Sequence, residues 1–192
     1  MLADDRRIEQ DPTPFWRAEA MLRHDRPWAL AELERCFAAG AAPERLEGPL
    51  DGRLVTSTFG WGLDPLLEAV TRLWLPWIGK AFFPEQQEGR NRFVRSSRPF
   101  FRVLWPGYSD LRDDGTGGFT SFRFDTRIED SVTVSGLPVL KIDYDHPGSP
   151  WPIGLILDEL VHVGDGQHLG QALMRRGGRF HRVAWFALVT RP

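Results

Sequence analysis

The spacing of apolar residues divides the chain into two textures. Over residues 15–45 apolar side chains recur at helical intervals: Phe15, Ala18, Met21 and Leu22, then Leu30, Leu33 and Phe37. Residues three and four apart share one face of an α-helix, so both runs predict amphipathic helices. Thr13 followed by Pro14 has the form of an N-cap and a first helical residue, Pro27 separates the runs, and Gly40 ends the second. The expected arrangement is a polar arm at 1–14 and a helical hairpin over 15–45.

Beyond residue 50 the pattern turns to alternation. RLVTSTF (53–59) is β-branched and reads as a strand. Helical spacing returns once, in DPLLEAVTRLWLPWIG. There Asp64 is placed to cap, Pro65 follows it, and Leu66, Leu67, Val70 and Leu73 or Trp74 share a face. This predicts a helix over about 64–78, closed by Pro76 and Gly79. From residue 80 onward RFVRSS, PFFRVLW, GFTSFRFDTRIED, VTVSG and LPVLKIDYD read as short strands broken by Gly, Pro, Asp and Ser. Gly164, Asp165 and Gly166 form the expected turn of a hairpin, and FHRVAWFALVT is a last strand after Gly177 and Gly178.

About eight strands in meander order, with no alternation of strands and helices, exclude a parallel doubly wound sheet. Closure into an antiparallel barrel removes the exposed edges, and an eight-stranded barrel leaves room for one small ligand. The expected fold is mainly β with α, in a single domain over 1–192. The barrel occupies 50–192 with one inserted helix, and the helices cover it. Alternation puts Leu140, Ile142 and Tyr144 on one face and Lys141, Asp143 and Asp145 on the other. In the last strand Phe180, Ala184, Phe186 and Leu188 oppose His181, Val183, Trp185 and Ala187. With both faces apolar, one side can line the interior and the other can receive the helices.

Three stretches resemble the bacterial GXWXG-protein family and, more distantly, the lipocalin-like (calycin) barrels. They are PWIGKAFF (76–83), LKIDYDHP (140–147), and LDELVHVGDGQHLGQA with FHRVAWFAL (157–172 and 180–188). Together they fall within residues 76–188. The motif that names the family is absent, and GRLVTSTFGWG (52–62) is only a loose counterpart. The resemblance implies a lipocalin-like β-barrel and the binding of small apolar molecules. It supplies no catalytic residues.

Composition narrows the function classes. The net charge is −2 with both signs mixed along the chain, so no basic stripe points to nucleic acid. The Arg-rich GRNRFVRSSR (89–98) reads as the charged face of a strand. Cys36 stands alone, which leaves no internal disulfide and no cysteine metal site. The N-terminus lacks an apolar signal region, and no apolar run reaches the roughly 18–20 residues of a membrane span. A cytoplasmic bacterial protein with no cofactor, no membrane and no nucleic-acid partner is expected, and a homodimer is compatible with it. Eight Trp and thirteen Phe supply either a packed aromatic core or a ring-walled cavity.

Of the 24 basic residues only Lys80 and Lys141 are lysines; the arginine excess matches a GC-rich coding bias. Lys80 lies among Trp74, Trp77, Phe82 and Phe83. It reads either as a cation at a helix C-terminus or as a cavity ammonium, which desolvation would turn toward nucleophilic or Schiff-base chemistry. Tyr144, if inward, needs a partner for its hydroxyl and can act as an acid. Lys80, Tyr144 and Asp143 are therefore the candidate catalytic groups. Trp77, Phe122, Arg123, Phe124, Tyr144, Trp185 and Phe186 are the candidate ligand-binding residues, with Arg123 either a carboxylate clamp or a solvated charge. Glu159 and His162 are three apart, which on a strand puts them on opposite sides, so no metal site is expected. His162 and His168 flank the hairpin turn, and two ligands do not make a site. The expected function is binding of a small hydrophobic or amphipathic molecule in the barrel. The alternative is a cofactor-independent cyclase or isomerase acting on a hydrophobic metabolite in the same cavity.

Overall fold

The computed structural model describes residues 14–58 and 76–190. Two helices open it, α1 (Pro14–Met21) and α2 (Arg26–Ala38), followed by strands β1 (Gly48–Ser57), β2 (Trp77–Phe83) and β3 (Glu88–Val94). Helix α3 (Arg98–Leu104) and the two-residue β4 (Arg112–Asp113) lead to β5 (Gly118–Asp130). The chain closes with β6 (Pro138–Asp143), β7 (Ile156–Gly164), β8 (Gln167–Arg176) and β9 (Arg179–Thr190). Neighbouring strands run in the order β3-β2-β1-β9-β8-β7-β6-β5-β4, and β3 also pairs with β5. That last pairing closes eight strands into an antiparallel barrel, with β4 as an extra strand on β5. The expected architecture is the one observed.

Local expectations fared unevenly. PFFRVLW is the helix α3, not a strand, because Pro99 sits in its first turn and a short aromatic run has no periodicity of its own. VTVSG is a turn: Ser131 Oγ accepts the amides of Thr133 and Val134, and Val132 N–H donates to Glu159. Those side chains compete with ladder formation. The helix expected over 64–78 lies outside the described residues up to 75, and Trp77 and Ile78 belong to β2. Thr13 also lies outside the described residues.

The doubly apolar last strand is used on both faces. Phe15, Ala18, Leu33 and Phe37 of the helices cluster with Val55, Val139, Val161, Leu169, Trp185 and Ala187 on the outside of the barrel. Asp25 caps α2 by accepting the Trp28 amide at 3.1 Å, and the Phe37 and Trp185 rings meet edge-on at 5.6 Å. The opposite face sends Ala184, Phe186 and Leu188 into the interior with Leu50, Phe93, Phe119, Phe122, Phe124 and Ile142. A bulge between Ala172 and Leu173 in the β8–β9 register moves Val183 into that interior cluster as well, rather than beside Trp185. Phe101 of α3 joins the same cluster, 4.7 Å from Phe93 and 5.2 Å from Phe122.

Arg90 and Arg92, expected on a charged strand face, are buried. Arg90 grips both oxygens of Asp110, and Arg92 donates to Asp51 and to the Leu50 carbonyl. Among the described residues no helix is long and apolar enough to cross a membrane.

His168 faces His162 across the β7–β8 hairpin, with ring centroids 5.3 Å apart. Burial, and then the neighbouring His162, push its pKa down to about 4. The unfolded chain takes up this proton near pH 6.5, and the folded chain waits until about pH 4. Stability from this group is therefore complete above pH 6.5 and falls as pH drops toward 4, by roughly 2–3 kcal/mol. Denaturant titrations at pH 7.0 and 4.5 should show that loss, and His168→Leu should remove it.

Candidate functional site

Four polar side chains meet inside the barrel. Lys80 projects from the middle of β2, Asn91 from β3, Tyr144 from the residue after β6, and Asp158 from β7. Their exposures are 2%, 6%, 3% and 4%. Lys80 Nζ donates to Asp158 Oδ2 at 2.8 Å, to Asn91 Oδ1 at 2.9 Å and to Tyr144 Oη at 2.5 Å. Three acceptors around one nitrogen match the three hydrogens of an ammonium. Asn91 Nδ2 donates to Tyr144 Oη at 2.9 Å, and the Trp77 indole N–H donates to Asn91 Oδ1 at 3.1 Å. Tyr144 Oη lies 3.2 Å from both Asp158 Oδ2 and Asn91 Oδ1; Asn91 Oδ1 already accepts from Lys80 and Trp77, so the proton goes to the carboxylate.

Rings enclose this cluster. Lys80 Nζ lies 5.2–5.6 Å from the centroids of Phe124, Phe186 and Trp77, within cation–π range. Gly170 lets the Phe186 ring lie against β8, since a Cβ there would stand 2.2 Å from the ring. At the close pairing of β1 and β2, Gly79 adopts φ +140, where a Cβ would strike the Leu50 carbonyl. Phe122 has a positive φ of 49 at the bulge between β3 and β5, and its N–H goes to Tyr108 Oη at 3.0 Å. That kink lets Phe119, Phe122 and Phe124 all enter the interior cluster, although Phe119 and Phe122 are three apart.

The cluster borders a cavity of about 30 Å³, room for about two water molecules. Trp77, Phe93, Phe122, Phe186, Leu54, Ile153 and Ile156 form its apolar wall, with Lys80, Asn91, Tyr144 and Asp158 on its polar side. Burial draws Lys80 below its ordinary pKa and pushes Asp158 above its own, each opposed by attraction to the other. Tyr144 is pushed well above the usual phenol value, first by burial and then by the Asp158 charge.

Of the residues expected to form the site, Lys80, Tyr144, Trp77, Phe122 and Phe186 line this cavity together. Phe124 packs behind them, 5.5 Å from the Tyr144 ring. Lys80 is not a cation at a helix end: it sits within β2 and is buried. Three expected residues lie elsewhere. Asp143 is on the outside of the barrel, bound to Arg127 at 2.8 Å. Arg123 is also outside, bound to Glu88 and Asp125 with a side chain 42% exposed. Trp185 is buried under the helical hairpin. Asn91 and Asp158 were missed. Their signal was a polar residue in phase with apolar ones: Asp158 between Ile156 and Leu160, and Asn91 two before Phe93.

Glu159 and His162 do not converge. Glu159 accepts from Ser131 Oγ, the Val132 amide and Gln171 Nε2, which pins the 131–134 turn to the barrel. Among the described residues no group of three or more His, Cys, Asp or Glu could hold a metal ion.

No protein-family model matches the chain, and no curated protein matches it. A solved structure of a protein from Thermomonospora curvata is similar, with a TM-score of 0.52 at 16% identity. The match spans 93% of this chain and 99% of that one. At this identity the likeness shows a shared fold, which agrees with a lipocalin-like barrel.

The buried pair yields a prediction. Lys80→Met or Asp158→Leu alone leaves an uncompensated charge and should cost about 3–5 kcal/mol in denaturant unfolding. The double variant should cost clearly less than the sum of the two. Additive losses would show that the pair is not energetically coupled.

Proposed function

We propose that the barrel binds a small hydrophobic or amphipathic molecule in its interior, in the cytoplasm of a bacterium. The observation that carries this reading is the placement of Lys80, Asn91, Tyr144 and Asp158 on one side of an otherwise apolar, ring-walled cavity. Ligand pockets combine such a wall with a few convergent polar groups. The likeness to the GXWXG-protein family and the lipocalin-like barrels supports it. The burial of Arg90 and Arg92 against Asp110 and Asp51 argues against a phosphate-binding stripe on β3. The lone Cys36 suits a reducing compartment. A molecule larger than two waters enters by displacing part of the apolar wall, where Leu54, Ile153 and Ile156 stand.

Phenol and toluene are suitable probes, followed by the NMR shift of the Trp77 indole N–H, assigned with Trp77→Phe. Saturable shifts are expected in the native protein. Ile156→Trp, which fills the cavity from its apolar wall, should abolish them while the circular dichroism spectrum is retained. An indole signal that ignores both probes would defeat the reading.

A second reading is cofactor-independent acid–base catalysis on a hydrophobic metabolite, of isomerase or cyclase type. The direct hydrogen bonds joining Lys80, Tyr144 and Asp158 favour it. Under it, the protein should speed deuterium exchange at the α-carbon of cyclohexanone, and Tyr144→Phe should reduce that rate at least tenfold. A rate equal to that of free lysine would sink it.

A further inference from the structure

The hydrogen-bond inventory of the cavity's polar side is nearly closed. All three Lys80 hydrogens are committed. Both Asn91 amide hydrogens are used, on Tyr144 Oη and on the Phe122 carbonyl at 3.4 Å. The Trp77 indole N–H and Lys80 occupy Asn91 Oδ1, so the Tyr144 proton goes to Asp158 Oδ2, the other acceptor at 3.2 Å. No side-chain donor among the described lining residues is left for a ligand. One acceptor is left. Asp158 Oδ2 receives both Lys80 and Tyr144, whereas its Oδ1 has no hydrogen bond among the described residues. Asp158 is 4% exposed and lines the cavity. A carboxylate oxygen open to the cavity can take a ligand hydrogen in a charge-assisted bond.

Charge narrows the class further. The Lys80 ammonium and the Asp158 carboxylate sum to zero, so a charged guest would bring an unbalanced charge into an apolar cavity. An anion would also face Asp158 with no free N–H to receive it. We infer that the ligand is a neutral hydrogen-bond donor, an alcohol or phenol on an apolar body, whose hydroxyl is received by Asp158 Oδ1. The cavity therefore excludes fatty acids and other carboxylates, although a lysine stands in its wall. This rests on the binding reading above and specifies the ligand's polar end.

The substitution Asp158→Asn sharpens the claim. Its amide oxygen would turn to Lys80, which must donate, and its NH2 would turn to the cavity. The free acceptor then becomes a free donor, and the preference should pass from alcohols to ketones and aldehydes.

The experiment measures phenol, toluene, benzoate, benzylamine and benzaldehyde against the native protein and Asp158→Asn, by the Trp77 indole shift. For the native protein we expect phenol to bind about tenfold tighter than toluene, the scale of one charge-assisted hydrogen bond, with benzoate and benzylamine weaker than toluene. In Asp158→Asn benzaldehyde should overtake phenol. Benzoate equal to or tighter than phenol in the native protein overturns the inference and leaves the binding reading in place. Phenol no tighter than toluene does the same. Silence from all five probes removes the binding reading and this inference with it. The native panel decides the matter even where Asp158→Asn does not fold.

Discussion

A lysine ammonium held across the width of a barrel is the constraint on which the rest of this structure turns. In the closed ring of eight strands, β2 and β7 stand four steps apart in either direction, so they are diametrically opposed. Lys80 and Asp158 come from those two strands and meet at 2.8 Å. A charge so placed, 2% exposed, is cut off from bulk water. It is tolerated because Asn91 and Tyr144 complete its coordination and the rings of Trp77, Phe124 and Phe186 surround it. The contact therefore fixes the distance between opposite walls as well as the state of the proton. Hydrophobic packing alone would tolerate many arrangements of the same rings; a buried cation with three acceptors tolerates few.

Departures from regular strand geometry serve that interior. Phe122 accepts a left-handed backbone at a bulge, and in return three phenylalanines of one strand reach the core. Gly170 gives up its side chain so that Phe186 can lie flat against the wall beside the ammonium. The outer surface is organised separately. The helical hairpin covers the apolar outer face of β9 through Phe37 and Trp185, and Glu159 ties down the 131–134 turn with three neutral donors. The barrel thus has an apolar inside holding an ion pair of zero net charge, and an outside where most charges pair with one another and Glu159 is held by neutral donors. Under the proposed binding function, this separation leaves selection to hydrogen-bond polarity rather than to charge.

Much of this was legible in the chain. Alternation in LPVLKIDYD put Tyr144 on the face opposite Lys141 and Asp143, although it did not say which face was inward and Asp143 was expected in the site, and the doubly apolar FHRVAWFALVT announced a strand covered on both sides. Helical spacing over 15–45 and meander order gave the hairpin and the barrel. Each is a local pattern enforced by a period, 3.6 or 2, that the backbone cannot evade. Where the pattern was short it misled: PFFRVLW is too brief for a period to show, and a proline at the start of a turn decided for helix.

The sequence by itself determined which faces of most elements are apolar, because burial selects side chains strand by strand. Only the tertiary structure decided what Lys80 is for. Its partners lie 11, 64 and 78 residues away in the chain, and no local spacing connects them. Closure of β3 onto β5 brings the opposite walls of one barrel within hydrogen-bond reach. In that dry interior a carboxylate that looked like part of a charged DELVH stretch becomes the counter-ion of a lysine seventy-eight positions before it.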